Sequence, residues 1–581
     1  MTEPGTAMAV PAGRVNGPEG EVLDWDAIDW RAHEDNVRRL RQRIFKATQG
    51  DDLKRVRRLQ KLMLRSFSNT LISVRQVTQR NAGRETAGID GQVALTARDR
   101  AELAAQLHRH VPSGEALPVK RVFIPKANGK QRPLGIPVIV DRVQQARVKQ
   151  ALEPEWEARF EPRSYGFRPG RGCHDAIEVI FKTLCGRAQR RWILDADLAG
   201  AFDHIDHDRL ADQLGTFPAR EAIRAWLTAG VIDHGEFTPT EEGTPQGGVI
   251  SPLLLNIALH GMEHAAGVRY RNSVRSDAET VAGSPVLVRY ADDYVVMCHS
   301  REQAEQVKQR LAAWLAPRGL SFNEDKTTIV HVEDGFSFLG FHVRRYVDRQ
   351  GSGKLLIKPD PKSVKRFRER LTAEMKALRG ANAAAVIARL TPIIRGWSAY
   401  YRSVVSSRTF AGLDHHVWHL TYRWARHTHP NKSRGWVTSR YFGRFDRTRR
   451  DRWVFGDRAT GAYLTKFSWT RIVRHVPVQG RASPDDPALA AYWAERRSKR
   501  RPPPLDQHTV KLLAAQHGRC SACGETLFVD ADEPQSPREW EHWFSTTRRA
   551  LRKQQLRRTG DPANERTFYR LVHAPCLKAT P

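Results

Sequence analysis

Cysteine is scarce, with six in 581 residues, and only Cys520 and Cys523 lie close together. That is too few and too scattered for a disulfide framework, and it points to a reducing cytoplasmic compartment. No run of about 18 apolar residues occurs, so a membrane-spanning helix is not expected. Residues 1–21 hold no apolar signal core and are rich in Gly and Pro, the composition of a disordered leader. Acidic residues are outnumbered, 64 Asp+Glu against 95 Lys+Arg, which leaves a net charge of +31. Such a charge points to a polyanionic partner, with nucleic acid the first candidate. The excess is uneven, because residues 361–500 hold 30 Lys+Arg and 9 Asp+Glu, a surplus of 21. What is present in quantity is apolar: 40% hydrophobic content suffices for ordinary cores in a chain with room for about three or four domains.

Two acidic stretches stand out. In Leu287-Val-Arg-Tyr-Ala-Asp-Asp-Tyr-Val-Val-Met-Cys298, apolar residues flank the adjacent carboxylates Asp292 and Asp293, which predicts two strands joined by a tight acidic turn. Adjacent aspartates repel each other and suit a hard divalent cation better than a core. A second carboxylate source lies upstream in Trp192-Ile-Leu-Asp-Ala-Asp-Leu-Ala-Gly-Ala-Phe-Asp-His-Ile-Asp-His207, where a short apolar strand ends in Asp197. Phosphoryl transfer needs carboxylates delivered to one point from separate segments.

Together these stretches resemble the palm of a reverse transcriptase, and specifically the group II intron reverse transcriptase/maturase family. The resemblance implies an α+β, right-hand polymerase: fingers and palm with an antiparallel sheet, an α-helical thumb and maturase domain, and a small zinc-ribbon-like tail. The expected divisions are a basic helical extension at 22–92, fingers and palm at 93–345, thumb and maturase domain X at 346–445, a basic DNA-binding linker at 446–505, and the tail at 506–581. Asp197 and Asp292 are expected to bridge two catalytic Mg²⁺ ions, with Asp293 beside them and the carbonyl of Leu198 as a further ligand. Asp203 and Asp206 are assigned instead to the start of the following helix.

The remaining blocks fall in the family's order. Amphipathic, Arg-rich patterns over 22–79 predict helices with basic outer faces and an RNA-binding role. Val119–Pro137 reads as a hairpin that turns at Ala127-Asn-Gly129, and the resemblance implies that Lys126 and Arg132 clamp the nucleotide triphosphate. A solvated basic hairpin is the plainer alternative. Arg168 and Arg171, in a Gly/Pro-rich loop, are expected along the template. The resemblance places Phe202 under the nucleotide sugar, where a ring leaves no space for a 2′-hydroxyl, and gives Gln246 of the block Gly243-Thr-Pro-Gln-Gly-Gly248 a contact to the nucleotide or template base. Lys326 is a candidate proton donor to the leaving pyrophosphate.

In Leu390–Arg402, cationic Arg395 and Arg402 interleave with Trp397, Tyr400 and Tyr401, a mixture that favours RNA through stacking and phosphate contacts. Cys520, Cys523, His573 and Cys576 form two pairs with two intervening residues each, a tetrahedral Zn²⁺ spacing. The tail is similar to an HNH endonuclease domain but departs from it: Leu577 follows the last cysteine, and Phe568 stands where an asparagine is expected. Glu541 and His542 still stand where the general base is expected, but the two departures lead to the expectation that the tail binds DNA or zinc without cutting.

The implied partners are a host group II intron RNA, target DNA, deoxynucleoside triphosphates and an RNA template/DNA primer duplex, with no membrane. The implied setting is a nucleoid-associated ribonucleoprotein in a bacterial cytoplasm. The resemblance implies that the protein assists splicing and copies the intron into DNA during retrohoming. A non-catalytic splicing factor and an intron-independent reverse transcriptase are the alternatives.

Overall fold

The computed structural model describes residues 23–499 apart from 110–114, 126–130, 187–188, 245, 272–278, 348–352 and 447. Beyond 500 it describes 511–513, 515–516, 519–522, 527, 534–556, 568–573 and 576–577. The chain divides into two compact units. The first comprises residues 1–171, 194–329 and 478–494, and the second comprises 172–193, 330–477 and 495–581.

The first unit is α+β. Its N-terminal helices Trp30–Gln49, Leu53–Leu64 and Phe67–Arg75 start on side-chain caps from Asp29, Asp52 and Ser66, as short polar residues favour. They pack on the long helix Ile139–Arg159. Not every basic face here is a solvent face: Arg41 bonds Asp485 and Glu153 at 2.6–2.8 Å, and Arg57 bonds Glu155 at 2.6 Å. These two arginines join helices, which removes them from the RNA-binding role expected of this region.

Val119–Pro125 pairs antiparallel with Gln131–Ile136, Pro125 opposite Gln131, while the turn expected at Ala127-Asn-Gly129 lies outside the described residues. It extends into a four-stranded sheet through Val231–Asp233 and Glu236–Thr238. A second four-stranded sheet orders its strands Val286–Tyr290, Asp293–Cys298, Trp192–Ala196, Thr328–His331. Its apolar strands are buried, with Val288, Tyr294, Val295 and Met297 at 0% exposure.

The second unit carries a three-stranded antiparallel sheet of Phe336–Phe338, Phe341–Val347 and Gly353–Pro359, then the helices Pro361–Ala377, Ala383–Tyr401 and Ser407–Thr428. Ala383–Tyr401 is the central helix. On one side Trp397 stacks on Phe367 and meets Phe410 and Phe467 edge-on. On another side Gly396 faces the helix Pro537–Ala550 so closely that a Cβ there would lie 2.7 Å from the Glu541 amide nitrogen. Among the described residues no helix is long and apolar enough to cross a membrane.

Candidate active site

The site grows from the hairpin Val286–Tyr290/Asp293–Cys298. Tyr290 pairs with Asp293, leaving Ala291 and Asp292 as a two-residue turn with Ala291 at φ +58°. Such a turn projects Asp292 and Asp293 at the strand ends. The strand Trp192–Ala196 neighbours Asp293–Cys298 in the sheet and delivers Asp197 at its end. The position of Asp197 is fixed by its backbone: its carbonyl accepts Asn323 N–H at 2.8 Å, and Ala199 N–H donates to Ser321 O at 3.0 Å. Leu198 is buried between these two bonds, opposite Phe322.

The carboxylates interact strongly. Burial, then the charges of Asp292 and Asp197, pushes Asp293 up to about 7 although its side chain reaches solvent. Asp292 is likewise raised, first by burial and then by Asp197, against the opposing pull of Arg132 and Lys326. Asp195, two residues before Asp197, is pushed up to about 7 by burial and by Asp197. The Lys326 ammonium is ion-paired with Asp197, and that hydrogen bond, countered by burial and reinforced by the carboxylates, raises it. Clustered hard oxygen donors that repel one another, with a cation already drawn against one of them, fit a divalent metal.

The hairpin is braced from below by residues that sequence reading missed. Arg289, 1% exposed, donates from Nη1 to Asn256 Oδ1 at 2.8 Å and to the carbonyl of Ala291 at 3.1 Å. Asn256 Nδ2 in turn donates to the Gly166 carbonyl at 2.8 Å. Gly166 runs so close under the turn that a Cβ would lie 2.3 Å from the Ala291 nitrogen. The Arg-Tyr-Ala-Asp-Asp string held the signal, since a lone arginine within a buried strand needs an internal acceptor.

The other predicted residues divide. Arg132 is exposed on its strand and acts electrostatically on Asp292, while Lys126 lies outside the described residues. Phe202 is half-buried, its ring edge-on to Phe167 with centroids 6.5 Å apart. Gln246 is half-buried and bonds Asp203. Asp206 caps the helix His207–Leu214 as expected, whereas Asp203 does not.

Arg168 and Arg171 are corrected. Arg168, 4% exposed, forks onto both oxygens of Glu157 at 2.9 Å and onto the carbonyls of Glu161 and Ser164. Arg171, 6% exposed, bonds the carbonyls of Pro162, Gly480 and Ala482. Both guanidiniums lock loops internally, onto Glu157 and onto backbone carbonyls. Trp397, Tyr400 and Tyr401 are also corrected: at 3%, 4% and 2% exposure they are core, with the tyrosine hydroxyls bonded to the carbonyls of Leu339 and Gly340. A base cannot stack on a ring whose faces are already covered. Arg395 and Arg402, on the same helix and at its end, are half-buried.

In the tail, Cys520, His573 and Cys576 bring their ligand atoms within 4.8 Å of one another, and Cys523 lies outside the described residues. Glu541 is half-buried and ion-paired with Arg370 at 2.7 Å, while His542 is exposed.

A two-strand acidic palm beside a basic hairpin defines a nucleic-acid polymerase, and comparison with known proteins makes the class specific. Residues 124–343 match the reverse transcriptase (RNA-dependent DNA polymerase) family, 25–107 the N-terminal domain of reverse transcriptase, and 364–442 the group II intron maturase-specific domain. Protein YkfC of Escherichia coli (strain K12) is 36% identical over 350 residues, 55% of this chain and 91% of that protein. The group II intron-encoded protein LtrA of Lactococcus lactis subsp. cremoris is 30% identical over 293 residues, 41% of this chain and 48% of LtrA, so the match spans about half of that relative. Maturase-like protein 1 of Euglena gracilis is 24% identical over 368 residues, 63% of this chain and 74% of that protein. The chain belongs to the reverse transcriptases that carry a group II intron maturase domain.

Proposed function

We propose that Asp197, Asp292 and Asp293 hold two Mg²⁺ ions for nucleotidyl transfer from deoxynucleoside triphosphates onto a primer paired with an RNA template. The observation that carries this is the convergence of the three carboxylates, with the Lys326 ammonium drawn against Asp197. Bound metals supply Lewis-acid stabilisation of the transferring phosphoryl group and activation of the primer hydroxyl. The carbonyl of Leu198 is a further oxygen ligand. Arg132, with Lys126, meets the triphosphate, Phe202 lies under the sugar, and Lys326 donates a proton to the departing pyrophosphate.

The maturase domain and the surplus of positive charge support binding of a host group II intron RNA, help with its splicing, and copying of the intron into DNA at a target site, in a cytoplasmic ribonucleoprotein. A groove of about 870 Å³ in the second unit, with Lys358, Lys365, Arg368, Lys376 and Arg408 in its lining, supports this role. The tail holds structural Zn²⁺ on Cys520, Cys523, His573 and Cys576 and binds DNA without cutting it.

The test is primer extension on an RNA template with deoxynucleotides and Mg²⁺, comparing the wild type with Asp292→Ala/Asp293→Ala. Extension by the wild type alone supports the reading. Tight intron RNA binding by both proteins without extension by either would make this a splicing factor with a silent palm. Second-strand nicking of target DNA that vanishes in His542→Ala would overturn the assignment of the tail.

A further inference from the structure

The loop that carries Phe202 and the loop that carries Gln246 are fastened together. Thr244 N–H donates to the Phe202 carbonyl at 2.5 Å, Gly243 N–H donates to the Ile205 carbonyl at 2.8 Å, and the Gly243 carbonyl accepts from His207 Nε2 at 2.6 Å. The Gln246 carbonyl accepts Gly135 N–H at 2.7 Å, which ties the same loop to the basic hairpin. Two contacts between side chains complete the set: His204 Nδ1 lies 2.8 Å from Glu242 Oε1, and Gln246 Nε2 lies 3.0 Å from both carboxylate oxygens of Asp203, the residue after Phe202.

A carboxylate offers only acceptors, so it dictates which end of the carboxamide faces it. The nitrogen of Gln246 is drawn to Asp203, and Oε1 is turned to the other side as an acceptor. An acceptor oriented in this way meets a hydrogen-bond donor on a ligand, a hydroxyl or an N–H, and repels a phosphate oxygen. The Asp203 carboxylate is itself exposed.

We propose that Asp203 is a positioning residue for nucleotide selection. Its latch onto Gln246 fixes the polarity of that carboxamide and helps hold Gly243 and Thr244 against the Phe202 segment, setting the depth at which the Phe202 ring stands. This rests on the reading of Phe202 as the sugar-facing ring. Discrimination by a ring against one hydroxyl depends on displacements of about 1 Å or less. Opening the latch frees the carboxamide and removes one of the ties that seat the ring, so the enzyme accepts ribonucleotides more readily.

The experiment is single-nucleotide primer extension with matched deoxy- and ribonucleoside triphosphates, giving the ratio of kcat/KM values for wild type, Asp203→Ala, Asp203→Asn, Gln246→Ala, Asp203→Ala/Gln246→Ala and Phe202→Val. Thermal unfolding of each variant checks that it is folded. Asp203→Ala is expected to reduce the deoxy/ribo ratio about tenfold, the scale of one charge-assisted hydrogen bond. Asp203→Asn keeps an acceptor and retains most of the selectivity. The double variant resembles either single alanine variant, because the pair acts as a unit. Equal loss on both substrates with an unchanged ratio in Asp203→Ala, while Phe202→Val relaxes selectivity, overturns the latch and leaves the ring's role standing. An unchanged ratio in Phe202→Val overturns the reading of the ring itself, whatever Asp203→Ala shows.

Discussion

Arg289 Nη1 lies 2.8 Å from Asn256 Oδ1 and 3.1 Å from the carbonyl of Ala291, which places a fully buried guanidinium directly behind the turn that presents Asp292. Burial lowers this arginine to about 10, with Glu161 opposing the shift, so it stays charged at neutral pH. Arg289→Met leaves the Asn256 and Ala291 oxygens without their donor, at a cost of about 2–4 kcal/mol. Urea unfolding should show this loss. A fall in primer extension by well-folded protein at saturating nucleotide should accompany it.

Gly166→Ala tests the next member of the same support. The added methyl carbon meets backbone at 2.3 Å, so the turn must move. Overpacking of this kind costs about 1–3 kcal/mol. The more telling readout is polymerase activity, expected to fall at least about tenfold if the turn shifts by even a fraction of an ångström.

The buried Glu263 makes stability depend on pH. Burial, and then the charge of Glu161, pushes its carboxyl up from 4.5 to about 7. Arg163 N–H and the Tyr270 hydroxyl bond its two oxygens. In the unfolded chain the group releases its proton near 4.5, whereas in the folded protein it keeps it to about 7. Its contribution to stability is therefore full below about 4.5 and is lost as the pH rises to about 7. Glu263→Gln should flatten this part of the profile, measured as unfolding free energy between pH 5 and 8. An unchanged slope would count against the assignment.

Trp397→Ala separates core from RNA surface. The ring is 3% exposed and stacked on Phe367, so truncation should cost about 3–5 kcal/mol of stability. RNA affinity of the remaining folded protein should stay near wild type. Loss of RNA binding without loss of stability would restore the stacking role.

The tail gives a metal prediction. With three candidate ligand atoms within 4.8 Å of one another, purified protein should carry one Zn²⁺ per chain by elemental analysis, and Cys520→Ser/Cys576→Ser should carry none.

The amino-acid sequence by itself determined the acidic hairpin, the Asp197 strand, the antiparallel pair Val119–Pro125/Gln131–Ile136 and the succession of helices. Each of these follows from short-range rules: alternation of apolar residues, a two-residue turn, caps three residues from their targets. That Asp197, Asp292 and Asp293 meet at one point was implied by the resemblance to a reverse-transcriptase palm, since an Asp-Asp turn taken alone is equally an ordinary turn. Only the tertiary structure decided which cations and rings face inward. Arg168 and Arg289, or Trp397 and Tyr401, show the same local pattern whether they meet RNA or a partner far along the chain. Their fate is set by Glu157, by Asn256, by Phe467 and by Phe341 with the Gly340 carbonyl. The Asp203–Gln246 contact spans 43 residues and was hidden for the same reason. Side-chain periodicity says which face is distinctive, whereas burial depends on what packs against that face, and long-range contacts settle it.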